Sequence, residues 1–288
     1  MTMKMRVATI FSTPSSFVLL MLLLWIGTTN TKARAGNLPH GEVQALREIA
    51  KQVGKKDWNF SVDPCGNHWQ TPKPTSNSEA AKTYAQTYNN SLICNCSYPM
   101  GVCHVTSIFL KGQDLDGVLP AAIINLTYLR TLDLTRNYLR GNIPPEWAST
   151  KLEYLSITVN RLTGRIPRYL GNISTLVYLS LENNMFSGSI PPELGNLSNL
   201  VNLILNANNL TGNLPSALTS LTKLTELRIS HNNFVGRIPE FLGKWKNLQT
   251  LEMEGSGLQG PIPSSISSLN LSELRISDLN GDGSEIPS

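Results

Sequence analysis

The sequence lacks an uninterrupted apolar run long enough to cross a membrane. The apolar stretch from Phe17 to Gly27 spans about 11 residues, whereas a membrane-spanning helix needs roughly 20. It follows a basic start and precedes an Ala-Arg-Ala sequence that ends at Ala35. This order is typical of a secretory signal peptide, so we interpret residues 1–35 as a signal peptide rather than a membrane anchor.

The first 35 residues also lack acidic side chains. They hold four of the 24 basic residues and none of the 20 acidic ones, so their removal would leave 20 bases against 20 acids. The overall pI of 8.9 is then no argument for an anionic membrane or for nucleic acid, and we expect no nucleic-acid partner.

Cysteine is absent from the 185 residues after Cys103, and all four cysteines fall within 39 residues. In an oxidising compartment this clustered, even set predicts two disulfides and no free thiol. Zinc is the alternative, because Cys103-His104 and a Cys-x-Cys sequence offer ligands, but the spacing matches no zinc pattern. Cys94 and Cys96 are too close along the chain to pair comfortably, so we expect one to join Cys65 and the other Cys103. We expect no metal or other cofactor.

A repeat dominates the rest of the chain, with the template L-x-x-L-x-L-x-x-N-x-L-x-G-x-I-P-x-x-L-x-x-L-x-x. The intervals between successive units are 24, 23, 24, 24, 24, 24 and 23 residues. The units begin at Val105, Leu129, Leu152, Leu176, Leu200, Leu224, Leu248 and Leu271. This constancy predicts a solenoid, specifically one of leucine-rich repeats.

The unit that begins at Leu176 shows the physical basis of the template. Its period of two sends Leu179 and Leu181 inward and Tyr178 and Ser180 to the opposite face of a short strand. Stacked units would place these strands in one parallel sheet. We expect the template asparagines to satisfy buried backbone groups where the chain turns; these are Asn137, Asn160, Asn184, Asn208 and Asn232.

The Gly-x-Ile-Pro variant of the repeat is similar to the plant-specific leucine-rich repeat. It occurs at Gly141, Gly164, Gly188, Gly236 and Gly260. The segment before the repeats carries Lys-Lys-Asp-Trp-Asn-Phe ending at Phe60, then Asp-Pro-Cys, Cys-Asn-Cys-Ser and Val-Cys-His-Val-Thr-Ser-Ile ending at Ile108. These motifs resemble the N-terminal ectodomain of plant leucine-rich-repeat receptor-like kinases, in particular the subfamily that also carries a malectin-like domain.

The repeat and this resemblance together predict an α/β solenoid, a right-handed superhelix with a parallel concave β-sheet and a disulfide-stapled N-terminal cap. We place the cap at residues 36–104 and about eight repeats at 105–288. Apolar residues from Val43 to Val53 at helical spacing predict a helix that covers the first repeat, and residues 66–93 read as a loop. Because the last unit is incomplete, we interpret the chain as a truncated gene product, a splice form or a fragment.

The kinase domain that the resemblance implies for longer members has no counterpart here. The sequence contains no glycine-rich phosphate loop, His-Arg-Asp loop or Asp-Phe-Gly. His40, His68, His104 and His231 form no recognisable nucleophile and base pattern, so we expect no catalytic residues. A partial calcium-loop pattern begins at Asp278, but its twelfth position would lie past the end, which favours a repeat turn.

The remaining hypothesis is a binding module that reads an extracellular peptide, protein or glycan, with a co-receptor ectodomain as a further partner. The candidate contacts are the outward strand positions, two and four residues after each unit start: Thr131, Asp133, Tyr154, Ser156, Tyr178, Ser180, Asn202, Ile204, Glu226 and Arg228. A merely solvated face would show the same polar columns. The other alternative is a secreted cell-wall protein, or an inhibitor similar to the polygalacturonase inhibitors.

Eight Asn-x-Ser/Thr sequons support a secreted glycoprotein. They begin at Asn59, Asn89, Asn95, Asn125, Asn172, Asn196, Asn209 and Asn270. We therefore expect the chain to enter the secretory pathway and to be extracellular, or apoplastic in a plant. A longer form with a membrane span would lie in the plasma membrane.

Overall fold

The computed structural model describes residues 38–66, Trp69 and residues 89–279. The predicted signal peptide, His68 and most of the partial calcium-loop pattern lie outside these ranges. Within them, no helix is both long and apolar enough to span a membrane.

The described chain contains one α-helix, α1, at His40–Val53, followed by short strands. Strands of the larger sheet are β1 Asn89–Asn95, β2 His104–Lys111, β3 Thr131–Asp133, β5 Tyr154–Ser156, β7 Tyr178–Ser180, β9 Asn202–Ile204, β11 Glu226–Arg228, β13 Thr250–Glu252 and β14 Glu273–Arg275. Strands of the smaller sheet are β4 Arg140–Gly141, β6 Arg161–Arg165, β8 Met185–Gly188, β10 Asn209–Gly212 and β12 Asn233–Phe234.

The larger sheet runs in the order β1-β2-β3-β5-β7-β9-β11-β13-β14 among the described residues, and the smaller one in the order β12-β10-β8-β6-β4. From β2 onward each strand pairs in parallel with the same position one repeat later, as in Tyr154 with Tyr178. This register confirms the predicted solenoid with its parallel sheet.

In the part of the chain that the structure describes, a short 3₁₀ helix follows the larger-sheet strand in seven of the repeats, and one more lies in the cap. They span Pro99–Gly101, Ala121–Asn125, Pro145–Ser149, Arg168–Asn172, Pro192–Asn196, Ser216–Ser220, Glu240–Lys244 and Ser264–Ser268. Proline precedes the seven that belong to the repeats, where its fixed φ suits an irregular outer segment. The leucines of these segments that face inward, for example Leu194 and Leu197, are fully buried.

The template asparagines form the predicted ladder inside the solenoid. The Asn184 side chain is 8% exposed, and its Nδ2 donates to the carbonyl of Ile157 at 3.0 Å and of Leu181 at 3.1 Å. Its Oδ1 accepts the Leu162 amide at 3.1 Å. The same bonds recur at Asn208 and Asn232, because equivalent side chains stack one repeat apart.

Helix α1 covers the first repeat, as expected. Leu46, Ile49 and Val53 are fully buried, whereas Val43 is only half-buried. The end of the helix packs against the backbone at Gly117, where a Cβ would lie 2.0 Å from the Gln52 carbonyl oxygen. Glycine at this position therefore allows the helix to approach the repeats.

No pattern in the sequence predicts a buried carboxylate in α1. Glu42 is 6% exposed. One of its oxygens lies 2.5 Å from His104 Nδ1, and the other accepts the Val105 amide at 2.8 Å. A charge in a core needs such partners, so these bonds fix the cap on the first strand of the repeats.

The loop interpretation of residues 66–93 is wrong at its end. Residues 89–93 belong to β1, which pairs antiparallel with β2, with Leu92 opposite Ile108. Leu92 is buried while Ile93 is 47% exposed. Polar residues dominate the strand and hide this alternation, and the strand forms because it covers the otherwise open edge of β2.

The two predicted disulfides are present, and the structure shows the connectivity that the sequence left open. Cys65 bonds to Cys94, and Cys96 bonds to Cys103. No described cysteine remains free for zinc. Trp58 stacks on Trp69 with ring centroids 4.6 Å apart, so these rings fill the cap beside the first disulfide.

The last described repeat pairs normally but is poorly covered. Strand β14 continues the parallel register of β13. Leu274 is nevertheless 44% exposed, whereas Leu251, its equivalent one repeat earlier, is fully buried. An inward leucine is covered only when a following coil packs on it.

Candidate functional site

The larger sheet presents the outward positions that the repeat period predicts. Alternation within each strand and the parallel register place these side chains in two columns, two and four residues after each unit start. All ten candidate residues lie in these columns. The two columns differ in exposure, and along the sheet their residues change from an aromatic part to a charged part.

The aromatic part consists of Tyr154 and Tyr178 on neighbouring strands. Their rings stack with centroids 4.3 Å apart and planes 10° from parallel, and both side chains are half-buried. Burial raises the pKa of both hydroxyl groups above the ordinary tyrosine value. The two rings together offer an apolar platform with hydroxyl groups at its margin.

Three of the candidate residues are buried, which corrects the expectation that they contact a ligand freely. Ser180 is 1% exposed, Ser156 3% and Ile204 6%. Ser156 Oγ lies 2.7 Å from Thr135 Oγ1, and Thr158 Oγ1 lies 2.6 Å from Ser180 Oγ. The hydroxyl groups of both serines therefore form hydrogen bonds with neighbouring threonines of the sheet. The two serines lie beneath the accessible surface of the sheet.

Thr131, Asp133 and Asn202 are half-buried on the same face. Asp133 Oδ1 accepts the Thr135 amide at 2.9 Å. Asn202 Nδ2 donates to Glu226 Oε2 at 2.5 Å. These bonds orient the polar side chains on both sides of the tyrosine pair.

The charged part is centred on Arg228. Its Nε forms an ion pair with Glu226, and its Nη1 lies 2.9 Å from Glu252 Oε1. Two repeats beyond Arg228, the Arg275 guanidinium lies 2.6 Å from Glu273 and 3.8 Å from Glu252. Acidic and basic groups therefore alternate across three neighbouring strands.

Sequence reasoning missed the most buried member of this group. Glu252 is 4% exposed, yet it lies four residues after Leu248, at the position that Arg228 occupies in the preceding repeat. Continuing the same column for one more unit would have found it. Glu182 was missed for a different reason, because it lies six residues after Leu176, just beyond the strand.

Burial raises the pKa of Glu182 above the ordinary carboxyl value. The positive charge of Arg228 opposes this shift, whereas the negative charges of Glu252 and Glu226 add to it. The carboxylate is half-buried, and the described residues provide it with no ion pair or side-chain hydrogen bond. It is thus an acidic group with unused hydrogen-bonding capacity on the candidate surface.

Comparison with known proteins identifies the repeat. A family model described as Leucine Rich Repeat matches residues 128–149, 151–173, 175–197, 223–245 and 247–269. A probable leucine-rich repeat receptor-like serine/threonine-protein kinase of Arabidopsis thaliana is 49% identical over 147 residues, which are 49% of this chain and 13% of the kinase. The chain therefore spans only about an eighth of this relative's length.

Solved structures of plant receptors share the fold. The plant peptide hormone receptor RGFR1, in complex with RGF2, is similar with a TM-score of 0.58 and 35% identity, over 59% of this chain and 28% of the receptor. The Arabidopsis receptor kinase HAESA, in complex with the peptide hormone IDA and the co-receptor SERK1, gives a TM-score of 0.62 and 28% identity. That match covers 80% of this chain and 37% of HAESA.

Proposed function

We propose that this chain, a leucine-rich-repeat protein homologous to part of the plant receptor-like serine/threonine kinases, is an extracellular ligand-recognition module. The observation that carries the proposal is the half-buried tyrosine stack on the larger sheet, in a fold shared with receptors solved with peptide hormones. Aromatic residues and arginine are the usual anchors of binding surfaces. The function is binding rather than catalysis, and its ligand is a peptide.

The position of the sequons supports this choice of surface. In the repeats, the side chains of Asn125, Asn172, Asn196, Asn209 and Asn270 are exposed. The first three end 3₁₀ helices, Asn209 begins β10 in the smaller sheet, and Asn270 precedes β14. Glycans on the four that lie on 3₁₀ helices or in the smaller sheet would leave the outward positions of the larger sheet clear.

We further propose that residues 1–35 are a signal peptide and that the protein acts outside the cell, or at the plasma membrane in a longer form. The two disulfides support this placement, since such bonds persist in oxidising compartments. Membership of the receptor-kinase subfamily that also carries a malectin-like domain stays a prediction.

The test uses the secreted protein and a Tyr154→Ala/Tyr178→Ala variant. We expect the wild type to capture members of a random 12-residue peptide library and the variant to lose at least tenfold in affinity, because two large contact areas disappear. Arg228 stays unchanged in this variant because its loss would strand two carboxylates. A Tyr138→Ala/Arg161→Ala variant is the matched control, since it removes an exposed tyrosine just before β4 and the arginine that stacks on it from the first position of β6.

The same immobilised protein is exposed to pectic oligosaccharides, a polygalacturonase and a co-receptor ectodomain. Capture of the first two, with affinity unchanged by the tyrosine substitutions and by the control, would favour the cell-wall protein and refute the receptor proposal. Equal losses of peptide affinity in the two folded variants would show that the binding site does not lie on the larger sheet.

A further inference from the structure

The described strands of the smaller sheet carry positive charge and no acidic residue. They contain three exposed arginines, Arg140 on β4 and Arg161 and Arg165 on β6. The two repeats that supply these strands, residues 129–175, hold seven bases against three acids, whereas residues 36–288 hold 20 of each. Positive charge is therefore concentrated in two repeats of an otherwise neutral chain.

Two of these arginines face each other across neighbouring strands. Arg140 is the direct partner of Arg161 in the parallel pair of β4 and β6. Neighbouring strands are about 4.8 Å apart, and like charges at facing positions destabilise a sheet. Neither side chain forms an ion pair or a hydrogen bond with the described residues. The sheet thus keeps a repulsive pair that a bound anion would neutralise.

Uncharged neighbours hold two of the guanidinium groups in place. The Arg161 guanidinium carbon lies 4.7 Å from the centroid of the Tyr138 ring. The Arg165 side chain extends over Gly188 on β8, where an added Cβ would lie 3.2 Å from its Cγ and 3.3 Å from its Nε. Ordered side chains lose less conformational entropy when they bind a ligand. These two arginines are therefore prepared to bind an anion.

The preceding repeat sets one limit of this surface. Its residues Asp114 and Asp116 are exposed, and neither forms an ion pair with an arginine of the described chain. Val118 bridges to Arg140, so the period of two places Asp116 on the same face. Its Oδ1 atom points at Gly54 of the cap, 2.7 Å from the position of an added Cβ. These negative charges restrict an anionic ligand to β4 and β6.

The groups on β4 and β6 match carboxylates and hydroxyl groups. A guanidinium group binds a carboxylate through two parallel N–H bonds. Thr163 lies between Arg161 and Arg165 on the outward side of β6, and its Oγ1 atom is 3.5 Å from Asn142 Oδ1. A linear polysaccharide of uronic acids carries a carboxylate on each sugar and hydroxyl groups between the carboxylates. Its chemistry therefore fits this surface.

The apolar side chains on this face do not form the centre of a protein interface. Tyr138 precedes β4 and Met185 begins β8, so the polar and charged outward side of β6 separates them. Protein interfaces have an apolar, fully buried core surrounded by a polar rim. The observed arrangement favours a narrow, polar ligand over a folded protein partner.

We propose that the outward face of β4 and β6, with Arg140, Arg161 and Arg165, binds a linear polysaccharide of uronic acids. This inference goes beyond the proposed function and does not depend on it, because the peptide surface lies on the larger sheet. The chain would hold the polymer on one sheet and a peptide on the other.

The experiment measures binding of the secreted protein to polygalacturonate, to fully methyl-esterified polygalacturonate, which lacks the charge, and to poly-L-glutamate. We expect the wild type to bind polygalacturonate at least tenfold more tightly than the other two polymers. Arg140→Gln/Arg161→Gln should weaken that binding by about ten- to a hundredfold, since charge-assisted hydrogen bonds are lost.

Arg237→Gln/Lys244→Gln is the matched control, because it removes the same charge from exposed positions of the repeat that begins at Leu224. Its affinity for polygalacturonate should equal that of the wild type. Arg140→Gln alone should melt no lower than the wild type, because it removes one member of the repulsive pair. This single variant keeps the test valid if the double variant fails to fold, and its affinity should also fall.

Equal losses in the two double variants would show that binding follows net charge alone and would overturn the inference. Equal binding of the methyl ester, or no binding of polygalacturonate by the folded wild type, would overturn it as well. Binding of poly-L-glutamate as tight as that of polygalacturonate would replace the polysaccharide with an acidic peptide. Tyr154→Ala/Tyr178→Ala should keep the polymer affinity and lose only peptide affinity, so each proposal can fail without the other.

Discussion

Removal of single asparagines from the ladder should have unequal effects at equivalent positions. In Asn184→Ala, the Leu162 amide loses the oxygen that accepts it. The three carbonyls bonded by Asn184 Nδ2 each keep a second donor: Asn160 Nδ2, Asn208 Nδ2 and the Val159 amide. One buried group is therefore left unpaired, and we expect a loss of about 1–3 kcal/mol in the free energy of unfolding.

Asn232→Ala should cost more, although the residue occupies the same position in its repeat. The Leu210 amide again loses its acceptor. The Ile229 carbonyl, bonded by Asn232 Nδ2 at 3.1 Å, has no second donor among the described residues, because Ser256 stands where the next ladder asparagine would be. Two buried groups are left unpaired, so the expected loss is about 2–6 kcal/mol.

Asn208→Ala separates this explanation from a simple effect of distance along the solenoid. It adjoins Asn232, but its carbonyl partners keep Asn184 and Asn232 as donors. It should therefore resemble Asn184→Ala. Equilibrium urea unfolding followed by tryptophan fluorescence provides the free energies, with unchanged m-values as the condition for comparing them. Equal losses in all three variants, or the largest loss in Asn208→Ala, would refute this reasoning.

Three further predictions concern the cap, the last repeat and the half-buried Glu182. Cys65→Ser should lower the yield of secreted protein, with a loss of about 2–5 kcal/mol for a missing disulfide in a small unit; a free thiol found at Cys65 by mass mapping of folded wild type would contradict this. Amides from Leu271 to Leu279 should exchange with deuterium faster than those of the repeat at Leu176, since no following coil is described there; equal rates would oppose it. The folded-state pKa of Glu182 is raised above its ordinary value of 4.5. Ionisation of Glu182 therefore lowers the free energy of unfolding, fully so above the folded-state pKa. This loss of stability disappears as pH falls towards 4.5. Glu182→Gln should therefore melt no lower than wild type at pH 7, and the difference should shrink at pH 4.5; a lower melting temperature at pH 7 would contradict the cause assigned to the shift.

The fold was predictable from the sequence because each repeat unit carries the same pattern of strand, inward apolar and turn residues. The period of two in each strand, the inward leucines and the asparagine at each turn agree in every unit from Leu129 to Leu224. The docking of the cap was not predictable in the same way. Strand β1 exists because β2 has an open edge, and Glu42 is buried because His104 and the Val105 amide lie across from it. Neither partner is visible from local sequence.

The candidate surface was predictable as a set of positions but not as a set of exposures. The column of Tyr154 and Tyr178 is set by strand alternation alone, so its geometry follows from the period. Whether Ser156 and Ser180 reach solvent depends on the neighbouring side chains, and two large rings together with threonine hydroxyls cover these small residues. In the charged part the side chains are long, and Arg228 reaches two neighbouring carboxylates. Side-chain length and the cover given by neighbouring side chains together decide which positions of the repeat can contact a ligand, since even the long side chain of Glu252 is only 4% exposed. A template that marks these positions only as polar does not contain that information.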